Sequence, residues 1–394
     1  MKAIGLYITL RGRAMPINND APSLSILHVL TLNGRNGEYG GPVRVARELC
    51  TELNSRGHTT RIFSGARKGF EPVPKPGLSE SFILVKPISR RLAVSSLWSW
   101  KLIRPLNMLI KSSDVIHIHF ARDLVPFLAA FLAFLNKKPY VTQTHGMIIS
   151  DGRASTRVTD FFLTKPLINR SRLNLVLTEI ELFSIKNLKI KSPTKILPNG
   201  IAIDTSKKSI PLTSNKIVFC SRLDKRKGID KFIELADSFR HSDLIFEIYG
   251  PDGGELDFCR NEISLRRLQN TLTYKGALTS DKVQEMLAGA KTLVLPSKNE
   301  PFPMVVLESL AVGTPVLVMP SCGFAETLRN FEENFVAKTE SSAGLEASLA
   351  SQLSSSKTPK SREEIRDFCS TSFGITKVAD DLVATYMEAL NHVF

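Results

Sequence analysis

Lys291–Pro320 has the sequence KTLVLPSKNEPFPMVVLESLAVGTPVLVMP and contains a complete strand–helix–strand pattern. Thr292–Leu295 and Pro315–Met319 are short apolar runs bounded by Pro, Ser and Gly, which is typical of buried strands. Between them, apolar side chains recur at helical spacing, at Val306, Leu307 and Leu310. We therefore predict two strands joined by one helix, the repeating unit of an α/β protein.

Two carboxylates lie at one end of this unit. Glu300 follows the first strand, and Glu308 lies about a turn and a half into a helix that Pro303 opens and Gly313 closes. Open parallel sheets bind ligands at the carboxyl ends of their strands. Carboxylates accept hydrogen bonds from vicinal hydroxyls, and a helix N-terminus favours phosphate. The pattern predicts a site for a ligand that carries both vicinal hydroxyls and a phosphate. The alternative is that Glu308 is simply a solvated helix residue.

Residues 300–316, EPFPMVVLESLAVGTPV, closely resemble the E-x7-E signature of the retaining glycosyltransferases of family 4, which have the GT-B fold. The resemblance covers roughly residues 24–394 and is most specific over 216–320. It implies an α/β protein with two Rossmann-like domains that face each other across a cleft. It also implies a C-terminal helix that crosses back to the first domain.

The length of 394 residues favours two domains, because single cores rarely grow so large. Residues 198–204, PNGIAID, resemble the interdomain linker of the family, and a polar run follows at 205–215. We predict an N-terminal extension at 1–23, an acceptor-binding domain at 24–204 completed by a helix at 375–394, and a donor-binding domain at 205–374.

The net charge of +14 is concentrated in the first half of the chain. Residues 1–200 hold 29 Lys and Arg against 12 Asp and Glu, whereas residues 201–394 hold 23 against 26. An acidic membrane surface, a lipid-linked pyrophosphate or a nucleic acid would each suit such a basic half. No recognisable motif for reading bases or nucleic-acid backbone accompanies it, so we expect no nucleic-acid partner.

Residues 86–112 carry basic side chains interleaved with apolar ones, including both tryptophans, Trp98 and Trp100. This composition is typical of a helix on a membrane surface. A helix packed on its own domain with a solvated basic face explains it equally well.

Five scattered cysteines without C-x-x-C spacing favour reduced thiols and a cytoplasmic setting. Residues 1–10 lack the pattern of a cleaved signal peptide. The most apolar stretch, Leu124–Leu135, is shorter than the roughly 20 residues of a spanning helix. We expect a cytoplasmic protein, peripheral on the inner face of the cell membrane.

A glycine-rich loop follows the first predicted strand, Leu24–Leu32, and precedes a helix. Gly40 and Gly41 in this loop would let the backbone approach a diphosphate closely, as glycines do in other nucleotide folds. The same Gly-Gly-Pro sequence is also a good turn and helix start by itself.

His117 and His119 lie on one face of the strand Val115–Phe120. A metal site is disfavoured, because no third ligand has suitable spacing nearby and a D-x-D motif is absent from the chain. His145 follows another strand, Tyr140–Thr144, and would donate to a sugar hydroxyl. A lone histidine is more often structural, and the resemblance to the His-Gly of the family favours the functional interpretation.

In the second half, a strand ends in SRLDKRKG, residues 221–228. Arg222 and Lys227 flank this loop, where cations neutralise a leaving diphosphate. A solvated charge run is the alternative and suits Lys225 and Arg226. Gly250 begins a Gly-Pro-Asp-Gly-Gly turn that resembles the glycine turn near the nucleotide in the family.

The resemblance implies a role for each matched residue. Glu308 would hold the ribose hydroxyls, and Arg222 and Lys227 would stabilise charge on the departing diphosphate. Glu300 would position the sugar, with nucleophile as a lesser possibility. The remaining donor-binding residues would be Gly41, His145, Gly250 and, through their amides, Phe302, Met304 and Val305. The nucleotide diphosphate sugar is a co-substrate, and no cofactor or divalent metal is expected.

The chain departs from the family pattern just after Glu300. The family usually has Gly directly after this Glu and again two residues later. Pro301 and Pro303 stand there, and proline has no N–H to donate. The geometry around the sugar is therefore expected to differ from the commoner pattern, while the fold is unaffected.

We expect a retaining, metal-independent glycosyltransferase that moves a sugar from a UDP- or GDP-sugar to a saccharide acceptor in polysaccharide, O-antigen or glycolipid biosynthesis. We expect the acceptor to be lipid-linked. The alternatives are an epimerase-type enzyme on the same fold and a non-catalytic nucleotide-sugar binder. Arg222, Lys227 and the pair of glutamates argue against both.

Overall fold

The computed structural model describes residues 22–34, 41–88, 93–149, 152–203, 214–354 and 360–391. Most of the predicted extension at 1–23 and of the polar run at 205–215 lies outside these ranges, as does Gly40. The described chain forms two separate parallel sheets with helices packed against them, which confirms the predicted α/β architecture.

The first sheet has seven parallel strands in the order β3-β2-β1-β6-β7-β8-β9. A short antiparallel pair, β4 and β5, lies beside it. The strands and helices of this half are β1 (Ser25–Leu32), α1 (Gly41–Ser55), β2 (Thr59–Ala66), β3 (Ser79–Leu84), β4 (Lys86–Pro87), β5 (Leu97–Trp98), α2 (Ile103–Lys111), β6 (Val115–His119), α3 (Leu124–Leu135), β7 (Tyr140–Gln143), α4 (Ala154–Thr159), α5 (Lys165–Asn169), β8 (Leu173–Val176), α6 (Glu179–Asn187) and β9 (Thr194–Ile196). One turn of π-helix, Asp160–Thr164, joins α4 to α5.

The second sheet has five parallel strands in the order β12-β11-β10-β13-β14. Its elements, with the helices that follow, are β10 (Lys216–Cys220), α7 (Ile229–Ser238), β11 (Ile245–Tyr249), α8 (Leu256–Leu265), β12 (Leu272–Gly276), α9 (Ser280–Ala288), β13 (Thr292–Leu295), α10 (Met304–Ala311), β14 (Val316–Val318), α11 (Ala325–Phe331), α12 (Ser342–Ser354), α13 (Arg362–Phe373) and α14 (Ile375–Asn391).

The strand–helix–strand unit predicted from Lys291–Pro320 is β13–α10–β14. Both strands are fully buried, because the sheet is covered by helices on its two faces. The helix begins at Met304, so Pro303 is its N-cap and not its first residue, a small correction to the prediction. Gly313 follows the end of α10 with φ +78°, and a Cβ there would lie 2.5 Å from the carbonyl oxygen of Arg362, so only glycine fits.

The last helix, α14, crosses from the second sheet to the first, which confirms the prediction. Tyr386 and Leu382 of α14 are fully buried against Ile26 of β1 and Leu49 of α1. An ion pair at 2.5 Å joins Arg56, just after α1, to Asp380. The two halves therefore share one apolar cluster at this end of the molecule.

Residues 86–112 do not form the predicted single amphipathic helix. Ser99 is extended and its side chain accepts from the backbone N–H of Lys101, so it caps a short 3-10 turn and interrupts the helical path. Among the described residues 86–88 and 93–112, only Ile103–Lys111 is α-helical, and it buries Leu106 and Ile110 against its own domain. In the ranges that the structure covers, no helix combines the length and the apolarity needed to cross a bilayer.

Candidate active site

The carboxyl ends of the two sheets meet at a cleft. The turn after β7 touches the loop after β13, since a Cβ on Gly146 would lie 2.3 Å from Cβ of Pro301. The first residue of α1 lies beside the first residue of α10, since a Cβ on Gly41 would lie 3.7 Å from Cγ of Met304. Two helix starts, whose first N–H groups have no acceptor within their own helices, therefore lie side by side at this cleft.

Lys227 and Glu300 form an ion pair, with 2.5 Å between Nζ and Oε2, and the side chain of each is 20% exposed. The loop that carries Lys227 is held by Asp224, whose side chain accepts from the backbone N–H of Arg226. It rests on the second sheet at Gly228, which has φ +73° and where a Cβ would lie 2.2 Å from the carbonyl oxygen of Pro296. This close approach brings Lys227 to the glutamate at the end of β13.

Arg222 packs on the glycine turn that follows β11. A Cβ on Gly253 would lie 2.8 Å from Cγ of Arg222, and a Cβ on Gly250 would lie 1.8 Å from the carbonyl oxygen of Ser221. Gly250 also has φ +143°, so side chains are excluded at this position both by space and by backbone conformation. The fold thus brings together Arg222 and Gly250, two predicted site residues.

Glu308 lies in α10 and is only 6% exposed. It forms an ion pair with Arg44 of α1, across the cleft. Arg44 is held in addition by Glu48, one turn further along α1, at 2.8 Å. Sequence reasoning missed Arg44. Its position offered a signal, because it lies in the first turn of the helix whose start, at Gly41, was already predicted to lie at the cleft.

The three residues predicted to offer amides differ in their surroundings. Phe302 is 8% exposed, and its ring packs 5.1 Å from that of Phe324, so its side chain belongs to the core. Met304 and Val305 begin α10, where the backbone N–H groups have no intrahelical partner. The sulfur of Met304 accepts from Nδ2 of Asn199 in the linker, at 3.5 Å.

His145 stands at the cleft end of a chain of buried histidines. Its Nε2 lies 2.7 Å from Nδ1 of His119, and Nε2 of His119 lies 3.1 Å from Nδ1 of His28. His117 lies beside this chain, stacked on His119, but its own nitrogens bond to Tyr386 Oη at 2.7 Å and to Gln143 Oε1 at 3.1 Å. His145, the predicted hydrogen-bond donor to a sugar hydroxyl, is therefore held in place by His119 and, through it, by His28.

The hydrogen-bond chain indicates which nitrogen of His145 carries the proton. Nε2 of His28 is buried and finds no partner among the described residues. The arrangement that leaves no buried N–H without an acceptor puts the proton of His28 on Nδ1 and that of His119 on Nδ1. Nε2 of His145 then accepts, and its Nδ1–H is the group that remains for a ligand.

Burial keeps these imidazoles neutral. It lowers the pKa of His117 to about 4 and that of His145 to about 3. The pKa values of His28 and His119 are also well below the ordinary value, because of burial and of the neighbouring histidines. His145 thus meets a ligand as a neutral donor.

The structure adds His28 as a third candidate metal ligand beside His117 and His119, which the sequence did not reveal. Ligand atoms of the three histidines lie within 4.8 Å of one another. Their rings are stacked, with interplanar angles of 22° between His28 and His117 and 13° between His117 and His119. Ligands of one ion point their nitrogens at a common centre, which stacked rings bonded to other partners do not. The arrangement fits a hydrogen-bonded stack better than a metal centre.

Glu181 holds the turn that carries His145. Its Oε1 accepts from Thr144 Oγ1 and from the backbone N–H of Gly146, both at 2.5 Å, and its Oε2 accepts from the backbone N–H of Leu177 at 2.7 Å. Burial raises the pKa of Glu181, and these three donors oppose the rise. The turn needs this support because His145 has φ +47°. Only a capping pattern, Thr178-x-x-Glu181, marked this residue in the sequence.

Comparisons with known families cover most of the chain. The profile described as "Glycosyltransferase Family 4" matches residues 39–205, and the profile described as "Glycosyl transferases group 1" matches residues 201–367. The first match contains Gly41 and His145. The second contains Arg222, Lys227, Gly250, Glu300 and Glu308.

Curated relatives match in part. An uncharacterized glycosyltransferase of Methanocaldococcus jannaschii is 26% identical over 55% of this chain and 60% of its own length. The lipopolysaccharide glucosyltransferase WaaG of Escherichia coli is 29% identical over 33% of this chain and 34% of its own length. The alpha-galactosylglucosyldiacylglycerol synthase of Streptococcus pneumoniae is 30% identical over 26% of this chain and 28% of its own length. The matched regions thus span less than two thirds of each relative.

Solved structures match over nearly the whole chain at low identity, which bears on the fold alone. HepE of Anabaena, solved in complex with UDP and glucose, has a TM-score of 0.73 at 16% identity and covers 92% of this chain and 99% of its own. A glycosyltransferase of Rickettsia africae has a TM-score of 0.72 at 16% identity and covers 95% of this chain and 100% of its own. With the two profile matches, these similarities show that the chain belongs to the group 1, family 4 glycosyltransferases and has the GT-B fold.

Proposed function

We propose that this protein is a retaining glycosyltransferase that moves a sugar from a nucleotide diphosphate sugar to a saccharide acceptor. The observation that carries the proposal is the convergence at one cleft of the Lys227–Glu300 ion pair, Arg222, Glu308 and the N-termini of α1 and α10. Of the solved structures with this fold, HepE of Anabaena is in complex with UDP-glucose, and the pneumococcal O-GlcNAc transferase GtfA is in complex with UDP and GlcNAc. These two complexes support a UDP-sugar as the first donor to test.

Each part of such a donor finds complementary chemistry in the cleft. The buried carboxylate of Glu308 accepts from the two ribose hydroxyls, for which Arg44 must give up part of its contact. The diphosphate lies at the helix N-termini, where N–H groups and the helix dipole favour negative charge. The sugar meets Nδ1–H of His145 on one side and the amides that begin α10 on the other.

The chemical step needs positive charge on the departing diphosphate. Arg222 and Lys227 supply it, which is the reason for proposing that no divalent metal is required. Oε2 of Glu300 is occupied by Lys227 at 2.5 Å, so we assign Glu300 a positioning and electrostatic role in preference to nucleophilic attack. The acceptor hydroxyl attacks from the face that the nucleotide leaves, so that the anomeric configuration is retained.

For the acceptor we propose a lipid-linked saccharide, used in polysaccharide, O-antigen or glycolipid biosynthesis at the cytoplasmic face of the membrane. The excess of 29 basic over 12 acidic residues in the first half supports an anionic surface as the partner. The names of two relatives, a lipopolysaccharide glucosyltransferase and a diacylglycerol glycoside synthase, support the same class.

Nucleotide release from UDP-, GDP- and ADP-sugars, measured with EDTA present, tests the proposal. We expect turnover of one donor, lost in Glu300→Gln and Arg222→Ala. Arg226→Ala is the matched control, because this neighbouring cation is 80% exposed and we expect it to leave turnover unchanged. Turnover that needs added metal would overturn metal independence.

Two product analyses separate the alternatives. NMR of the glycoside shows the anomeric configuration, and inversion would contradict the retaining assignment. Recovery of an epimerised sugar without transfer would indicate an epimerase. Protection against thermal unfolding by a nucleotide sugar, without turnover in the presence of lipid-linked saccharides, would indicate a binding protein.

A further inference from the structure

The first domain has an apolar groove that the donor site does not use. Its volume is about 460 Å³, and it lies between α3 and the helix formed by the π-turn and α5. The groove is lined mainly by aromatic and aliphatic side chains, among them Trp98, Phe127, Phe131, Phe134 and Phe162, with Arg170 at its margin. We call this feature the aromatic groove.

The aromatic groove begins near the active cleft. Leu124, which lines one end, starts α3 directly after the carboxyl end of β6, the edge of the sheet that faces the cleft. Phe134 lines the other end, about 15 Å further along the helix axis. A hydrocarbon chain in the groove would therefore extend away from the reaction site.

Large apolar side chains next to the groove face solvent. Phe161 and Phe162 are 67% and 68% exposed, Phe131 is 50% exposed, and Trp100, edge-on to Trp98 at 5.5 Å, is 78% exposed. Soluble monomers rarely expose a contiguous apolar patch of this kind without a partner. Tryptophan and phenylalanine are also the residues that lie at the boundary between headgroups and acyl chains.

The charge around the groove distinguishes between possible partners. The segments that carry its lining residues, 95–111, 122–138 and 152–172, contain eleven Lys and Arg and two acids, Asp123 and Asp160. Arg122 holds Asp160 through two hydrogen bonds of 2.8 and 3.0 Å, and Asp123 accepts from Thr31 at 2.8 Å. Two copies of so basic a face repel each other, whereas an anionic bilayer attracts it.

We propose that the aromatic groove and its exposed phenylalanines insert into an anionic phospholipid bilayer, with one acyl chain in the groove and lipid phosphates on the basic rim. The inference rests on the proposed function, because it names the membrane partner of the same cleft. It places the cleft at the bilayer surface, where the sugar of a lipid-linked acceptor is exposed.

The chain has two tryptophans, of which Trp98 lines the groove and Trp100 packs edge-on against Trp98, so tryptophan fluorescence reports on this surface. Vesicles of phosphatidylcholine alone are compared with vesicles of equal parts phosphatidylcholine and phosphatidylglycerol. We expect a blue shift of the fluorescence with the anionic vesicles, and quenching when their acyl chains carry bromine. Binding without quenching by brominated chains would overturn insertion and leave a purely ionic contact.

Sedimentation with the same vesicles tests the residues. The double variant Phe161→Ser, Phe162→Ser is expected to bind anionic vesicles at least about tenfold more weakly, since each exposed ring contributes apolar area. Leu265→Ser is the control, because Leu265 is 77% exposed on α8, in the other domain. Equal binding by both variants would overturn the proposal.

Two further measurements separate this inference from its alternatives. Donor hydrolysis without vesicles is expected to be the same in the double variant and the wild type, so loss of the proposed activity and loss of membrane binding are distinguishable. Ultracentrifugation without lipid tests self-association; a dimer that the double variant abolishes, in a protein that binds no vesicles, would assign the groove to a second copy.

Discussion

Arg44 and Glu308 form an ion pair that joins α1 of the first domain to α10 of the second, directly over the proposed ribose site. Glu308 is 6% exposed, and Arg44 is the cation that compensates its buried carboxylate in this structure. If Glu308 holds the ribose as we propose, ribose hydroxyls and Arg44 compete for the same carboxylate, and we expect donor binding to weaken this contact between the two domains.

Replacing Arg44 by methionine is expected to lower the free energy of unfolding by about 1–3 kcal/mol, because a buried carboxylate loses its cation. A saturating nucleotide should then stabilise the variant more than the wild type, since the ribose supplies the missing donors. Thermal unfolding with and without UDP measures both effects. Glu48→Gln, which leaves the Arg44–Glu308 pair intact, is the control; an equal loss in the control would contradict the explanation.

The contact of Glu308 with ribose is tested by removing one group from each partner. Glu308→Gln is expected to weaken UDP binding by about tenfold, the value of one hydrogen bond to a charged group. Loss of the 2′-hydroxyl should weaken binding to the wild type but hardly affect the variant. Calorimetric titration with UDP and 2′-deoxy-UDP gives the coupling, and additive losses would show that Glu308 does not contact the ribose.

Lys227→Met is expected to lower kcat about 100-fold or more, with a small change in KM, because its charge acts mainly on the departing diphosphate. The side chain of Glu300 also loses its partner at 2.5 Å. Steady-state kinetics with the donor found above provide the measurement. A change confined to KM would show that Lys227 binds the ground state and has no part in the chemical step.

His119 is expected to set the tautomer of His145. Nitrogen-15 NMR of labelled histidines should show the proton of His145 on Nδ1, and His119→Leu should mix the tautomers and lower kcat by about tenfold. His119→Asn, whose side-chain amide can replace the Nδ1–H donor, should restore part of the single tautomer of His145 and part of kcat. His117→Asn is the control, because His117 bonds to Tyr386 and Gln143 and not to this chain. A protonated Nε2 in the wild type would contradict the assignment.

The buried histidines make stability depend on pH. Their folded pKa values are lowered, to about 4 for His117 and about 3 for His145, whereas the unfolded chain takes up protons near the ordinary value of 6.5. Their contribution to stability is therefore complete above pH 6.5 and is lost as the pH falls towards 4, by up to about 1.4 kcal/mol per pH unit for each histidine. Urea unfolding across this range measures the slope. A stability that does not fall below pH 6.5 would contradict the burial of these groups as neutral species.

Local patterns were sufficient where neighbouring residues alone determine structure. The unit β13–α10–β14 follows from apolar runs bounded by proline and glycine. Within it, Gly313 follows α10 with φ +78°, as a helix-terminating glycine does. The failure at residues 86–112 has a local cause as well. One side chain, Ser99, captures a backbone N–H and interrupts a segment whose composition favoured a continuous helix.

The sequence by itself determined the individual strands and helices and the residues at the strand ends, because periodicity and turn residues act over a few positions. The two-domain arrangement and the crossing C-terminal helix were expected from the resemblance to the family. Only the tertiary structure decided which groups meet. Arg44 reaches Glu308, His28 supports His145 through His119, and Glu181 clamps the turn that holds His145. These contacts join distant parts of the chain, and they depend on how sheets and helices pack, which no local pattern records.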